Sequence, residues 1–171
     1  MPIPDQLDPL QEALATELLR EDDLGAVIRS HIHIENIIYQ IVDRILPRPD
    51  YLKSREDREY SQMVRLALAL GVNPELKSIL NTLGNLRNDF AHKLDSELTQ
   101  ERTTQLYTCL PSVLKNIIQS QIPHIYPETI YINPPTQFSE LSTRRQFALV
   151  IITVWCELHQ KLLSIPTEGS A

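Results

Sequence analysis

Glycine and cysteine are scarce in this chain, which has four glycines and two cysteines among its 171 residues. So few glycines favour a helical protein. The two cysteines, Cys109 and Cys156, are far apart in the sequence and form no close pair of the kind that clamps a metal. We therefore expect reduced, buried thiols.

Positive charge is also in short supply. The chain has 16 lysines and arginines against 22 aspartates and glutamates, a formal net charge of −6 and a pI of about 5.3. This balance disfavours a broad basic surface that neutralises many phosphates. A local basic cleft is still compatible with this net negative charge.

Several common sequence signals are missing. The N-terminal stretch MPIPDQLDPL has no basic region and no hydrophobic signal core. The apolar run Phe147 to Cys156 is only ten residues long, too short to cross a bilayer. There is no Gly-rich phosphate loop, HExxH, CxxC or GxSxG. We expect a soluble cytoplasmic protein away from membranes, with no metal and no cofactor.

The length and the hydrophobic content of 42% fit one domain with a real core, residues 1–171. Apolar periodicity, caps and prolines predict an all-α bundle of six or seven helices. The predicted helices run from Asp5 or Asp8 to Arg20, from Asp22 or Asp23 to Leu46, from Tyr60 to Leu70, from Asn73 to about His92, from Thr99 to Cys109, from Ser112 to Ser120, and from Ser139 or Ser142 through Phe147 to Cys156.

Three other segments are predicted to lie outside helices. The charged residues 48–59 read as a solvated connector, and residues 166–171 as a frayed tail. The proline-rich residues 121–138 have no helical period and predict a long ordered loop. This loop is too apolar for a solvated linker, so we expect it to pack on its own bundle, with a partner subunit as the alternative. Its apolar residues are Ile125, Tyr126, Ile130, Tyr131 and Ile132.

One stretch, Leu83 to His92, gathers the chemically capable side chains. At about 100° per residue, Arg87 projects from within the apolar stripe of its helix, while Asn88 and His92 lie on the opposite, polar side. An arginine removed from water needs a carboxylate, a phosphate or a cleft to receive it.

The best acidic candidate is Glu35, which lies with His31 inside the apolar arc of the second helix. In one interpretation Glu35 receives Arg87 as a structural ion pair, and a buried pair would make Arg87→Ala cost about 3 to 5 kcal/mol. In the other interpretation, Glu35 directs Arg87 into a cleft and shifts the pKa of His31 or His92. His92 also suits the negative end of the helix dipole, which is a purely structural explanation for it.

The residues Arg87-Asn88-x-x-x-His92 resemble the signature of HEPN domains, which are compact helical bundles. The longer run from Tyr60 to His92, YSQMVRLALALGVNPELKSILNTLGNLRNDFAH, is similar to the mannitol operon repressor (MltR-like) branch of that group. The resemblance implies a helical bundle and extends in helix order over most of the chain.

Two functions follow from the resemblance. The MltR-like branch implies a negative regulator of a sugar-uptake operon that acts through a protein partner or a ligand, since the sequence contains no DNA-reading module. The wider HEPN group implies a metal-independent ribonuclease, of the toxin or phage-defence type, in which His92 would move a proton, Arg87 would stabilise the phosphorane and Asn88 would orient the histidine.

The ribonuclease hypothesis also needs a homodimer. Arg87 and His92 are about 140° apart on a straight helix, so one helix does not bring them to one phosphate unless it unwinds near Ala91. The HEPN resemblance implies two motif helices meeting at a twofold axis to form a composite cleft. The partners expected are therefore a second copy of the chain, a regulatory protein or antitoxin, and RNA.

Overall fold

The structure is a computed structural model and describes residues 9–52, 59–126 and 130–166. In these ranges every regular element is helical and there is no strand, so the predicted all-α bundle is confirmed. Seven α-helices are present: α1 Pro9–Arg20, α2 Asp23–Ile45, α3 Tyr60–Ala69, α4 Lys77–His92, α5 Gln100–Thr108, α6 Ser112–Ile125 and α7 Thr143–Ser164. Short 3₁₀ turns occupy Pro49–Leu52, Pro74–Leu76 and Phe138–Glu140.

Two helices, α2 and α5, begin at predicted caps whose side chains bond to the first turn, whereas Ser142 precedes α7 without a side-chain cap bond. The side chain of Asp22 accepts a hydrogen bond from the Gly25 amide at 2.6 Å, and that of Thr99 accepts one from the Arg102 amide at 3.3 Å. Such caps satisfy amide groups that the first turn of a helix leaves unpaired. The predicted caps of α1, Asp5 and Asp8, lie outside the described residues.

Helix α7 is the central element, because it packs against α1, α2, α5 and α6. Its buried side chains include Phe147, Val150, Ile151, Val154 and Leu158. Burying each such side chain contributes about 1.5 to 3 kcal/mol of hydrophobic free energy. On the other side of the bundle α2 packs against α3 and α4. The candidate functional site lies where these three helices meet.

Among the described residues, one helix is long and apolar enough to cross a membrane by length and composition, and that helix is α7. At 22 residues it extends well beyond the ten-residue apolar run seen in the sequence. Half of its apolar stretch is buried inside the bundle, and core helices of globular proteins can be equally long and apolar.

The proline-rich loop begins later than predicted. Helix α6 continues through Pro123 to Ile125, where a loop was expected from residue 121. A proline inside a helix removes a hydrogen bond, but Ile118 and Ile122 are fully buried and Tyr126 is nearly so. The burial of this apolar stripe outweighs the local preference of the proline.

The packing of this loop is also only partly as predicted. Phe138 is buried with its ring stacked on Tyr107 at 4.1 Å, and Gln119 donates to the Thr136 carbonyl at 2.6 Å. Ile130 and Ile132, however, are exposed by 75% and 95%. Of the five apolar residues predicted to pack, Ile125 and Tyr126 do so at the end of α6, and the ring of Tyr131 lies 5.4 Å from that of Tyr126, whereas Ile130 and Ile132 do not pack on the bundle.

The solvent-facing side of α2 carries ion pairs. Arg29 is exposed and pairs with Glu17 and Glu21 at 2.7 Å each, and His33 contacts Glu17 at 2.9 Å. In the connector, residues 53–58 are outside the described ranges, as are residues 167–171 of the predicted frayed tail.

Candidate functional site: a polar cleft between three helices

A polar cleft with a volume of about 1040 Å³ opens between α2, the start of α3 and the outer face of α4. Four of the five predicted site residues line it: His31 and Glu35 from α2, and Arg87 and Asn88 from α4. His92 does not line it. The remaining lining residues are Tyr39, Glu59, Tyr60, Ser61, Gln62, Asn81, Gly84 and Asn85.

Tyr60 forms the floor where α3 meets α4. Its hydroxyl donates to the Leu80 carbonyl at 2.9 Å. A Cβ at Gly84 would lie 2.9 Å from Tyr60 Cε1, so only glycine lets the ring approach the helix this closely. Burial, reinforced by the nearby Glu35, raises the pKa of Tyr60, which stays a neutral phenol. Sequence reasoning missed Tyr60, although a glycine inside a helix could have indicated a close contact.

His31 is buried on the α2 wall, with 7% of its surface exposed. Its ring lies 4.4 Å from the ring of Tyr60. Burial lowers the pKa of His31, Glu35 acts in the opposite direction, and the positive charge of Arg87 lowers that pKa further. His31 is therefore a neutral imidazole at pH 7.

Glu35 accepts a hydrogen bond from the Tyr39 hydroxyl at 2.9 Å, one turn along α2. The predicted ion pair between Glu35 and Arg87 is wrong, since none joins them among the described residues. Arg87 is exposed, and its Nη1 donates to Asn88 Oδ1 at 3.1 Å. The long arginine stem reaches from the edge of the apolar stripe to water, so no buried partner is needed.

This geometry reverses the expected stability effect of Arg87→Ala. Because the guanidinium is exposed and leaves no buried carboxylate behind, the substitution should change the free energy of unfolding by no more than about 0.5 kcal/mol. Urea denaturation measures this directly. Arg144→Ala is the matched comparison, since Arg144 pairs with Asp23 and donates to the Asp22 carbonyl at 2.8 Å. This variant should lower the free energy of unfolding by more than Arg87→Ala does. A loss of several kcal/mol at Arg87 would contradict the exposed placement.

His92 is exposed in the last turn of α4, followed by the C-cap residue Lys93. A cationic or polar group here interacts favourably with the negative end of the helix dipole. The structure thus brings Arg87, Asn88, Glu35 and His31 to one cleft and leaves His92 outside it.

Comparison of this chain with protein-family models, curated proteins and solved structures finds no match. Across the described ranges no group of three or more His, Cys, Asp or Glu side chains could hold a metal ion. Cys109 and Cys156 are thiols, each half-buried.

The buried neutral His31 should make the protein less stable in mild acid. Its pKa is lowered in the folded state, so the unfolded chain takes up the proton first as the pH falls below about 6.5. We expect the free energy of unfolding to decline from pH 7 to pH 5. In His31→Gln that decline should be smaller, whereas His92→Gln should keep it. Urea titrations across this range measure the slopes, and equal slopes in wild type and His31→Gln would contradict the assignment.

Proposed function

We propose that this protein is an MltR-like negative regulator of transcription, of the sugar-operon type, that acts by binding a ligand or another protein at the Arg87 cleft. One observation carries the proposal: the exposed guanidinium of Arg87 lines a polar cleft beside Asn88, and the His92 of the same chain does not line it. A single chain therefore offers recognition groups at Arg87 without the motif histidine that catalysis would need.

The charge of the chain supports action through a partner. A net charge of −6 is unfavourable for direct binding to a DNA backbone. The exposed groups of the cleft, with hydrogen-bond donors from Arg87 and from amides on α4, suit a polar ligand or a polar surface on another protein.

Deletion and complementation test this proposal. Transcripts that rise when the gene is deleted should return to their normal level with the wild type but not with Arg87→Gln. Arg65→Gln is the matched control, because Arg65 is an exposed arginine on α3 that does not line the cleft; it should complement. Immunoblots verify equal protein levels. Unchanged transcripts after deletion would refute the proposal, as would sequence-specific DNA binding by the purified protein alone.

A metal-independent endoribonuclease is the second candidate, favoured by the Arg87–Asn88 hydrogen bond and by the solvent exposure of His92 on the same helix. In a homodimer with both Asn88/His92 faces near the twofold axis, His92 of one chain would approach Arg87 of the other. The imidazole would move a proton between the 2′-hydroxyl and the leaving oxygen, and the guanidinium would stabilise the phosphorane.

The two candidates separate in a cleavage assay. Purified protein is incubated with tRNA and mRNA without metal, with His92→Ala and Arg87→Ala in parallel, and light scattering reports the oligomeric state. Products with 2′,3′-cyclic phosphate ends, abolished by either substitution, would establish the ribonuclease. Intact RNA, or a monomer at micromolar concentration, would exclude the composite site.

A further inference from the structure

We propose that the cleft binds a small organic phosphate rich in hydroxyl groups, with its phosphate on Arg87 and its hydroxyls on His31 and the α4 asparagines. The inference rests on the proposed regulatory function and names the class of ligand that would control it. Three features of the cleft lead to it: a guanidinium with unused donors, a buried imidazole with no hydrogen bond to another described residue, and a row of amides.

The Arg87 guanidinium has most of its donors unused. Its one hydrogen bond within the described part of the chain goes to Asn88, and no carboxylate of a described residue pairs with it. The planar fork of N–H groups matches phosphate and carboxylate oxygens in a bidentate arrangement. Two carboxylates also line the cleft, Glu35 and Glu59, and Glu35 is engaged by Tyr39. An anion therefore fits at Arg87, while these carboxylates can accept hydrogen bonds from hydroxyls elsewhere in the cleft.

His31 indicates that the ligand also carries uncharged hydroxyl groups. It is more than nine-tenths buried, it lines the cleft, and no hydrogen bond to another described residue satisfies its ring nitrogens. These nitrogens are not closed off inside the protein but reach the cleft, where a ligand can pair with them. A neutral imidazole presents one donor and one acceptor, which a hydroxyl complements because it both accepts and donates.

The outer face of α4 extends the same pattern. Asn81, Asn85 and Asn88 are exposed and lie on one side of the helix, at steps of four and three. Each amide can donate to and accept from a hydroxyl. Several neutral amides beside a single guanidinium suit a ligand with one charged group and several hydroxyls.

A nucleotide fits less well. The rings of His31 and Tyr60 lie against each other, and the ring of Tyr60 also closes on Gly84. Because these rings pack against each other and against α4, they are unfavourably placed for a base to stack on them. The volume of about 1040 Å³ is at the upper end of ordinary ligand sites, which leaves room for a hexose-sized phosphate and its water.

Calorimetry with defined probes tests the proposal: sorbitol 6-phosphate, glucose 6-phosphate, sorbitol, inorganic phosphate, AMP and tRNA. The two sugar phosphates should bind at least tenfold more tightly than sorbitol or inorganic phosphate. Arg87→Gln should weaken their binding at least tenfold, and Arg65→Gln should leave it unchanged. His31→Gln should weaken the sugar phosphates and leave inorganic phosphate unaffected. Asn85→Ala, an exposed change that leaves the core intact, should weaken the sugar phosphates about threefold or more.

Three results would contradict the proposed class of ligand. Absence of sugar-phosphate binding overturns it, as does tighter binding of AMP or tRNA, or binding that Arg87→Gln leaves intact. The regulatory proposal fails on a separate observation, namely unchanged transcripts after deletion of the gene. If transcripts change after deletion but no phosphate probe binds, the regulatory proposal stands and the ligand proposal fails.

Discussion

Gln146→Leu is expected to lower the free energy of unfolding by about 2 to 4 kcal/mol, because it removes a fully satisfied buried amide. Gln146 is 0% exposed. Its Nε2 donates to the carbonyls of Phe138 and Leu141 at 2.9 and 3.1 Å. Its Oε1 accepts from Gln100 and Thr103 at 2.8 and 3.1 Å. One side chain thereby ties α5 and the turn at Phe138 to the start of α7.

Urea denaturation followed by circular dichroism measures the loss. Gln160→Leu is the control, since Gln160 lies on the same helix and is exposed; it should stay within about 0.5 kcal/mol of the wild type. Equal stability of both variants would mean that the Gln146 network contributes nothing, and would contradict its role as the tie between α5 and α7.

Gly84→Ala is expected to destabilise the protein and to disable the cleft together. On helix propensity alone, the change should raise the free energy of unfolding by about 1 kcal/mol. The new methyl group would however lie 2.9 Å from Tyr60 Cε1, and that ring is held by its bond to the Leu80 carbonyl and by contact with His31. Overpacking of this kind costs about 1 to 3 kcal/mol. We expect a net loss of stability and at least tenfold weaker binding of any ligand in the cleft.

Thermal denaturation and calorimetry check the two effects, with Asn85→Ala as the control for stability. Asn85 is the next residue on α4 and is exposed, so alanine there should maintain or raise the melting temperature. A melting temperature that rises in Gly84→Ala would show that Tyr60 moves aside without cost, and the described wall of the cleft would then be wrong.

Local chemistry makes the helices of this chain predictable from short stretches of its sequence. A cap such as Asp22 or Thr99 satisfies amide groups within its own turn, and Gly71, with φ of 95°, ends α3 because it tolerates the left-handed region. These effects act over a few residues only. The extension of α6 through Pro123 was missed because it depends on burial of Ile122 and Tyr126 by other helices.

The sequence by itself determined the helical class, the order of the helices and the placement of Arg87, Asn88 and His92 on one helix, because caps and apolar periodicity act locally. It also placed His31 and Glu35 on the face of α2 that meets this helix.

Only the tertiary structure decided what these side chains do. Helical geometry gives the direction in which Arg87 leaves the backbone, but a long flexible side chain turns to water or to a partner according to what neighbouring helices present. The contact of Tyr60 with Gly84, the burial of His31 against Tyr60 and the position of His92 outside the cleft all depend on how α2, α3 and α4 pack. Packing joins residues that are distant in sequence, and no pattern within one helix contains that information.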